Sequence, residues 1–103
     1  MQNFPLVSVI CLSYNHEAYV VEALNSVINQ TYPNIELLIA DDCSSDNSIG
    51  VIKDWVKNHP EVHFSTNEKN LGNTKTFNQL AKIAKGKFII DLLQSNELLY
   101  SVF

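Results

Sequence analysis

Along this chain, short apolar runs alternate with stretches in which apolar positions recur roughly every three or four residues. Leu6 to Leu12 is apolar and β-rich, and the polar turn Ser13-Tyr14-Asn15-His16 follows it. From Glu17 to Asn29 the residues Val21, Leu24, Val27 and Ile28 fall at helical spacing, which predicts an amphipathic helix. Asn15 is its expected cap, because the amide oxygen can accept an orphan N–H, and Pro33 lies just beyond its end. Ile35 to Ala40 reads as a second strand that stops abruptly at Asp41-Asp42-Cys43-Ser44-Ser45-Asp46. A second helix is expected from about Asn47 to Asn58, with Ile49, Ile52 and Val56 on one face and Pro60 closing it. Val62 to Thr66 is a shorter third strand, and Asn70 to Asn73 a turn around Gly72. Phe77, Leu80, Ala81 and Ala84 mark a third helix, with Gly86 as its expected C-cap, and Lys87 to Leu93 is a fourth strand.

The order β-α-β-α-β-α-β predicts an α/β fold: a mostly parallel, Rossmann-like sheet with helices on both faces. Strands one, two and four are nearly continuous apolar runs, so each is expected to be buried on both faces. In such sheets ligands lie beyond the carboxyl ends of the strands, where the strand order reverses. Chemistry is therefore expected after Leu12, after Ala40 and after Leu92.

Composition narrows the classes. The 103 residues make one small domain, and 46% apolar with 17% charged residues excludes a disordered chain. A net charge of −4, with no basic stripe, excludes nucleic acid as a partner. An anionic ligand would need backbone N–H groups or a metal ion rather than a basic cradle. Cys11 sits in an apolar run and Cys43 in a polar loop, which reads as free thiols in a reducing, cytoplasmic compartment. No signal peptide is read at the N-terminus, and the apolar run Val9 to Leu12 is far short of the roughly 20 residues that span a bilayer. His16, His59 and His63 do not stand at metal-ligand spacing, and His16 is expected to be solvent-exposed.

The strand ends carry the candidate chemistry. Tyr14 offers a ring against which a planar base could rest, and an ionised carboxylate such as Asp42, being acceptor-only, suits a ring N–H. Asp46 reads as the cap of the second helix. The adjacent Asp41 and Asp42 read as functional, because side-by-side carboxylates repel and neither is needed as a cap. Phe77, at helical spacing with Leu80 and Ala81, reads as core.

Four stretches in order carry a resemblance. Val7-Ser8-Val9-Ile10-Cys11-Leu12-Ser13-Tyr14-Asn15 resembles the opening of family-two glycosyltransferases of the GT-A fold. Ser26 through Leu37 resembles the family's helix-to-strand passage, and Ile39 through Asp46 its acidic strand end. Asn70-Leu71-Gly72, Asn78 and Ala84-Lys85-Gly86-Lys87-Phe88-Ile89-Ile90 follow at the family's spacing. The resemblance implies a domain that binds a nucleoside diphosphate-sugar, most often UDP-linked. Ser13 and Tyr14 would line the base pocket with Glu17 beside it, Asp41 would belong to the donor site, and Asp42 would take the uracil ring N–H. Asn70 and Gly72 would shape the loop near base and ribose.

The family also places an Asp-x-Asp cluster after its fourth main strand, where carboxylate oxygens hold Mg²⁺ or Mn²⁺. Leu93, Ser95 and Asn96 stand at those positions, so metal binding would fall to the neutral oxygens of Ser95 and Asn96, with Asp91 and Glu97 nearby. In relatives an acceptor-binding half follows and supplies the general base for attack by a glycan hydroxyl. Residues 1–103 therefore read as a single donor domain truncated at its C-terminus, with no catalytic residue assigned and no activity expected of it alone. Two rival classes share parts of the pattern. A receiver-type phosphoacceptor domain shares the acidic strand end, but carries it after strand one rather than strand two. A non-catalytic α/β module could self-associate through an exposed sheet edge.

Overall fold

Four strands and three helices alternate through residues 4–92, the part of the chain that the computed structural model describes. They are β1 (Val7–Ser13), α1 (Val20–Ile28), β2 (Ile35–Asp41), α2 (Ser48–Val56), β3 (His63–Thr66), α3 (Asn73–Ile83) and β4 (Phe88–Leu92). All strand pairings are parallel and the sheet order is β3-β2-β1-β4. The expected α/β architecture is therefore the one observed. β1 lies in the interior, with Val7 opposite Ile35 of β2 and Phe88 of β4.

Alternation along the strands sends side chains to two unequal cores. Val9, Cys11, Leu37 and Ile39 meet Val20, Leu24 and Val27 of α1 and Ile52 and Trp55 of α2 in the larger one. On the opposite face Ile10, Leu38 and Ala40 meet Leu80 of α3, with Phe77 and Ala81 packed alongside. Each fully buried aliphatic side chain contributes about 1.5–3 kcal/mol, so the α1–α2 face carries more of the stability. The Trp55 indole N–H donates to Asn25 Oδ1 at 2.9 Å and ties α2 to α1. No helix among the described residues is long and apolar enough to cross a membrane.

Several local expectations are corrected. α1 begins at Val20, because His16 C=O accepts the N–H groups of Tyr19 and Val20 in a preceding turn. Its N-cap residue is Tyr19, with no side-chain cap, and Asn15 is engaged elsewhere. α2 ends at Val56, where tight turns Asn58 N–H to Trp55 C=O and His59 N–H to Val56 C=O replace helical bonds. Gly86 does not cap α3, which ends at Ile83 with Ala84 as an extended C-cap residue. Gly86 instead lies against β1: its N–H donates to Ser8 Oγ at 2.8 Å, and a Cβ there would fall 2.5 Å from Ser8 N. β4 is not buried on both faces. It forms the edge of the sheet among the described residues, and Phe88 and Ile89 are 55% and 44% exposed. An apolar run of five residues reads alike in a central strand and an edge strand, and only its place in the sheet separates the two.

Candidate ligand-binding site

The loops after β1 and β2 are laced together by side chain-to-backbone bonds. Asn15, at φ 54°, turns its amide across the gap, and its Oδ1 accepts Ser45 N–H at 2.8 Å and Asp46 N–H at 3.2 Å. Asn tolerates that left-handed conformation better than most residues. In return Ser44 Oγ accepts Asn15 N–H at 2.8 Å, and Ser48 Oγ accepts His16 N–H at 2.9 Å. Glu17 Oε1 accepts Asn47 N–H at 3.2 Å, just before α2, and Asp46 Oδ2 accepts Glu17 N–H at 3.2 Å.

The acidic strand end divides into three jobs. Asp41 is fully buried and its carboxylate accepts Ser44 N–H at 2.7 Å and the Ser44 hydroxyl at 2.6 Å. Asp46 accepts Ser48 N–H at 2.9 Å just ahead of α2, but the N-cap residue is Asn47, which makes no side-chain cap bond, so the capping role expected of Asp46 is corrected; the Ser48 hydroxyl holds its carboxyl below the ordinary range. Asp42, 3% exposed, accepts Leu71 N–H at 2.7 Å, Gly72 N–H at 2.9 Å and the Asn67 amide at 2.9 Å. Burial pushes the Asp42 carboxyl up, but the hydrogen bonds from Leu71, Asn67, Gly72 and Thr76 together outweigh it and leave it below the usual carboxylate value. Asn70 joins from the same loop, its amide donating to Asp42 C=O at 3.4 Å.

Gly72 closes that loop at φ 91° and ψ 161°, a region open essentially to glycine alone. Its N–H reaches Asp42 as α3 begins at the next residue.

Beyond these loops lies a cleft of about 480 Å³ at the carboxyl ends of β1 and β4. The chain adds β2 and β3 on one side of β1 and then places β4 on the other, so this is the point where strand order reverses. Ser13, Tyr14 and His16 line it from the end of β1, Thr74 and Phe77 from α3, and Asp91 from β4. Ser13 Oγ is buried without a hydrogen-bond partner, the one such side-chain atom among the described residues. Buried polar groups are nearly always satisfied, so an orphan hydroxyl at a cleft wall calls for a ligand atom or water. Tyr14 is 44% exposed beside it. Partial burial pushes the Asp91 carboxyl above the ordinary Asp range.

Of the residues expected from sequence, Ser13 and Tyr14 line the cleft. Glu17, Asp41, Asp42, Asn70 and Gly72 form the hydrogen-bonded framework beside it. Ser95 and Asn96 lie outside the described residues. The structure adds Thr74, places Asp91, read from the sequence only as lying near the metal position, on the cleft wall, and half-buries His16 there rather than leaving it solvent-exposed. The polar turn after β1 contains the signal for His16. Phe77 serves twice, packing on the Ile10 core and lining the cleft. Among the described residues no three of His, Cys, Asp or Glu gather to hold a metal ion, so their donor set does not by itself fit Mg²⁺ or Mn²⁺.

Fold and cleft together define the class: a Rossmann-like α/β domain of the GT-A kind, with a candidate ligand cleft at the switch point. The chain belongs to glycosyl transferase family 2, whose model matches residues 8–92. It is 34% identical over 85 residues to the putative teichuronic acid biosynthesis glycosyltransferase TuaG of Bacillus subtilis, covering 82% of this chain and 34% of that protein. The S. aureus TarS fragment 1–349 in complex with UDP-GlcNAc superposes with a TM-score of 0.73 at 34% identity, over 82% of this chain and 25% of that one. A mannosyltransferase from Pyrobaculum calidifontis, in complex with GDP-Man and Mn²⁺, shares the fold with a TM-score of 0.75 at 24% identity, over 87% of this chain and 28% of that one. The chain spans 27%, 34% and 14% of the length of three curated relatives it matches.

Proposed function

We propose that this chain is the donor-binding part of a glycosyltransferase, holding a nucleoside diphosphate-sugar, UDP-linked, in the switch-point cleft. The observation that carries the reading is the unpartnered, buried Ser13 hydroxyl at the wall of that cleft, next to the exposed Tyr14 ring. Tyr14 supplies an apolar face for the base, and Ser13 Oγ a hydrogen bond that the protein leaves unfilled. The start of α3 also borders the cleft at Thr74. A helix N-terminus presents N–H groups and a partial positive charge suited to phosphate. Asp42 holds the cleft-side loop through hydrogen bonds from Leu71, Gly72, Asn67 and Thr76, which together occupy its roughly four lone-pair positions, so its part in the donor site is to shape that loop.

The complete enzyme would transfer the sugar, with inversion, to a hydroxyl of a growing glycan. Its acceptor site and general base would lie in sequence that the longer relatives carry. A divalent ion, where bound, would neutralise charge developing on the diphosphate.

Calorimetric titration with UDP, with and without Mn²⁺, tests the reading. Binding that is lost in Ser13→Ala while the fold is retained supports it. A folded protein that takes up no UDP at millimolar concentration sinks it.

A further inference from the structure

We infer that His16 is the side-chain cation of this cleft, placed to meet the diphosphate of the bound nucleotide-sugar and to make its binding depend on pH. The inference rests on the donor-site reading above and deepens it.

The backbone of His16 is fixed from both sides. Its N–H donates to Ser48 Oγ at 2.9 Å, and its C=O accepts from Tyr19 and Val20 at the start of α1. The ring is fixed too, with Nδ1 at 3.0 Å from Tyr14 C=O. A carbonyl oxygen only accepts, so Nδ1 must carry a proton in this contact. The second nitrogen, Nε2, is then the position at which a second proton would add. Protonated, it becomes a charged N–H donor, and such donors bond phosphate oxygens strongly.

The rest of the cleft makes this donor matter. The seven basic residues of the chain are all lysines, and none of them lines the cleft. His16 is half-buried, and it is the lining residue that can become positively charged in the described part of the chain. Imidazole changes charge between about pH 5 and 8.

The acidic groups around it are few and mostly occupied. Asp46, whose carboxyl feels the His16 charge, accepts from Ser48 and Glu17. The Glu17 carboxylate holds Asn47 N–H. Asp91 lines the cleft from β4 and Tyr14 adjoins the ring. Protonated His16 therefore has a charged N–H available for an incoming anion.

The test is titration of the full chain with UDP-glucose and with uridine, each at about pH 5.5 and about pH 8, a range in which the diphosphate diester of UDP-glucose keeps its charge. UDP-glucose is expected to bind about tenfold more tightly at the lower pH, and uridine equally at both. His16→Gln should flatten the UDP-glucose response near the weaker value, and His16→Lys should flatten it near the stronger. UDP-glucose binding that is equal at both pH values, or a pH response surviving in His16→Gln, overturns the inference while leaving the donor site standing. Failure of both ligands to bind the folded protein at either pH overturns the donor-site reading itself, and the inference with it.

Discussion

Asp42 and Gly72 stand thirty positions apart in sequence, yet the carboxylate of one accepts the backbone N–H of the other at 2.9 Å. Together with Leu71 N–H and the Asn67 amide, this contact pins the loop between β3 and α3 to the end of β2. Replacing Asp42 should therefore be felt first as a loss of stability. Asp42→Ala leaves two part-buried N–H groups unmet and is expected to cost about 2–3 kcal/mol in urea unfolding. Asp42→Asn is expected to cost nearly as much, because its NH2 group must face either Leu71 N–H or Gly72 N–H. A variant as stable as the parent would show that the clamp contributes little.

The same carboxylate gives the fold an acid limit. Its folded-state pKa lies below the unfolded value, so its contribution is complete above the ordinary Asp value of about 3.9 and is lost as pH falls through the lower folded value. Below about pH 4 the parent is expected to lose stability more steeply than Asp42→Asn, which has no such proton to take up. Denaturant midpoints measured stepwise from neutral to acid pH, converging at the low end, would bear this out.

Ser13 should show the opposite signature. Its hydroxyl is buried and unpartnered, so Ser13→Ala removes a polar atom that the folded protein leaves unsatisfied. The melting temperature is expected to stay level or rise, while UDP affinity falls. A drop in stability would place an internal partner on that hydroxyl.

Two glycines should resist substitution for different reasons. Gly72→Ala meets open space but must hold φ 91°, and is expected to cost about 1–3 kcal/mol through strain alone. Gly86→Ala has no such torsion to hold, yet its Cβ would sit 2.5 Å from Ser8 N and 2.9 Å from Phe88 C=O. Opening that contact separates β4 from β1, with an expected loss of about 1–3 kcal/mol. Chemical denaturation of both variants checks this, and Ser8→Gly should relieve little in Gly86→Ala, because the backbone clash remains.

The exposed edge of β4 predicts association. Phe88 and Ile89 are exposed on opposite faces of a strand that nothing pairs on its outer side among the described residues. The chain is expected to self-associate as concentration rises, and Ile89→Lys to suppress it, since a charge on an edge strand opposes pairing. Light scattering of both over a concentration series decides. A parent that stays monomeric throughout removes this reading.

Periodicity is enough to place every strand and helix, because the apolar spacing of residues such as Val21, Leu24 and Val27 is the same property that drives burial. Ser13 and Tyr14 are legible because they follow the first strand at a strand end. Asp91 is harder to assign, since a carboxylate inside an apolar run gives no sign of which face it takes. Its place follows from register: it pairs with Ile10, whose side chain lies on the α3 face. The engagements of Asn15 and Asp42 are equally hidden, because each spans roughly thirty residues and depends on how two loops meet. The exposure of β4 follows from strand order, which no local pattern encodes.

That strand order has a consequence for how the molecule is made. β1 bonds β2 on one side, with Val7 opposite Ile35, and on the other side β4, with Val7 opposite Phe88. A chain emerging from the ribosome can dock β1, α1, β2 and α2 well before β4 has been synthesised. Through that interval one flank of β1 presents unpaired N–H and C=O groups, an open template for a neighbouring nascent chain. The strand best protected in the finished fold is the one left half-paired longest during synthesis.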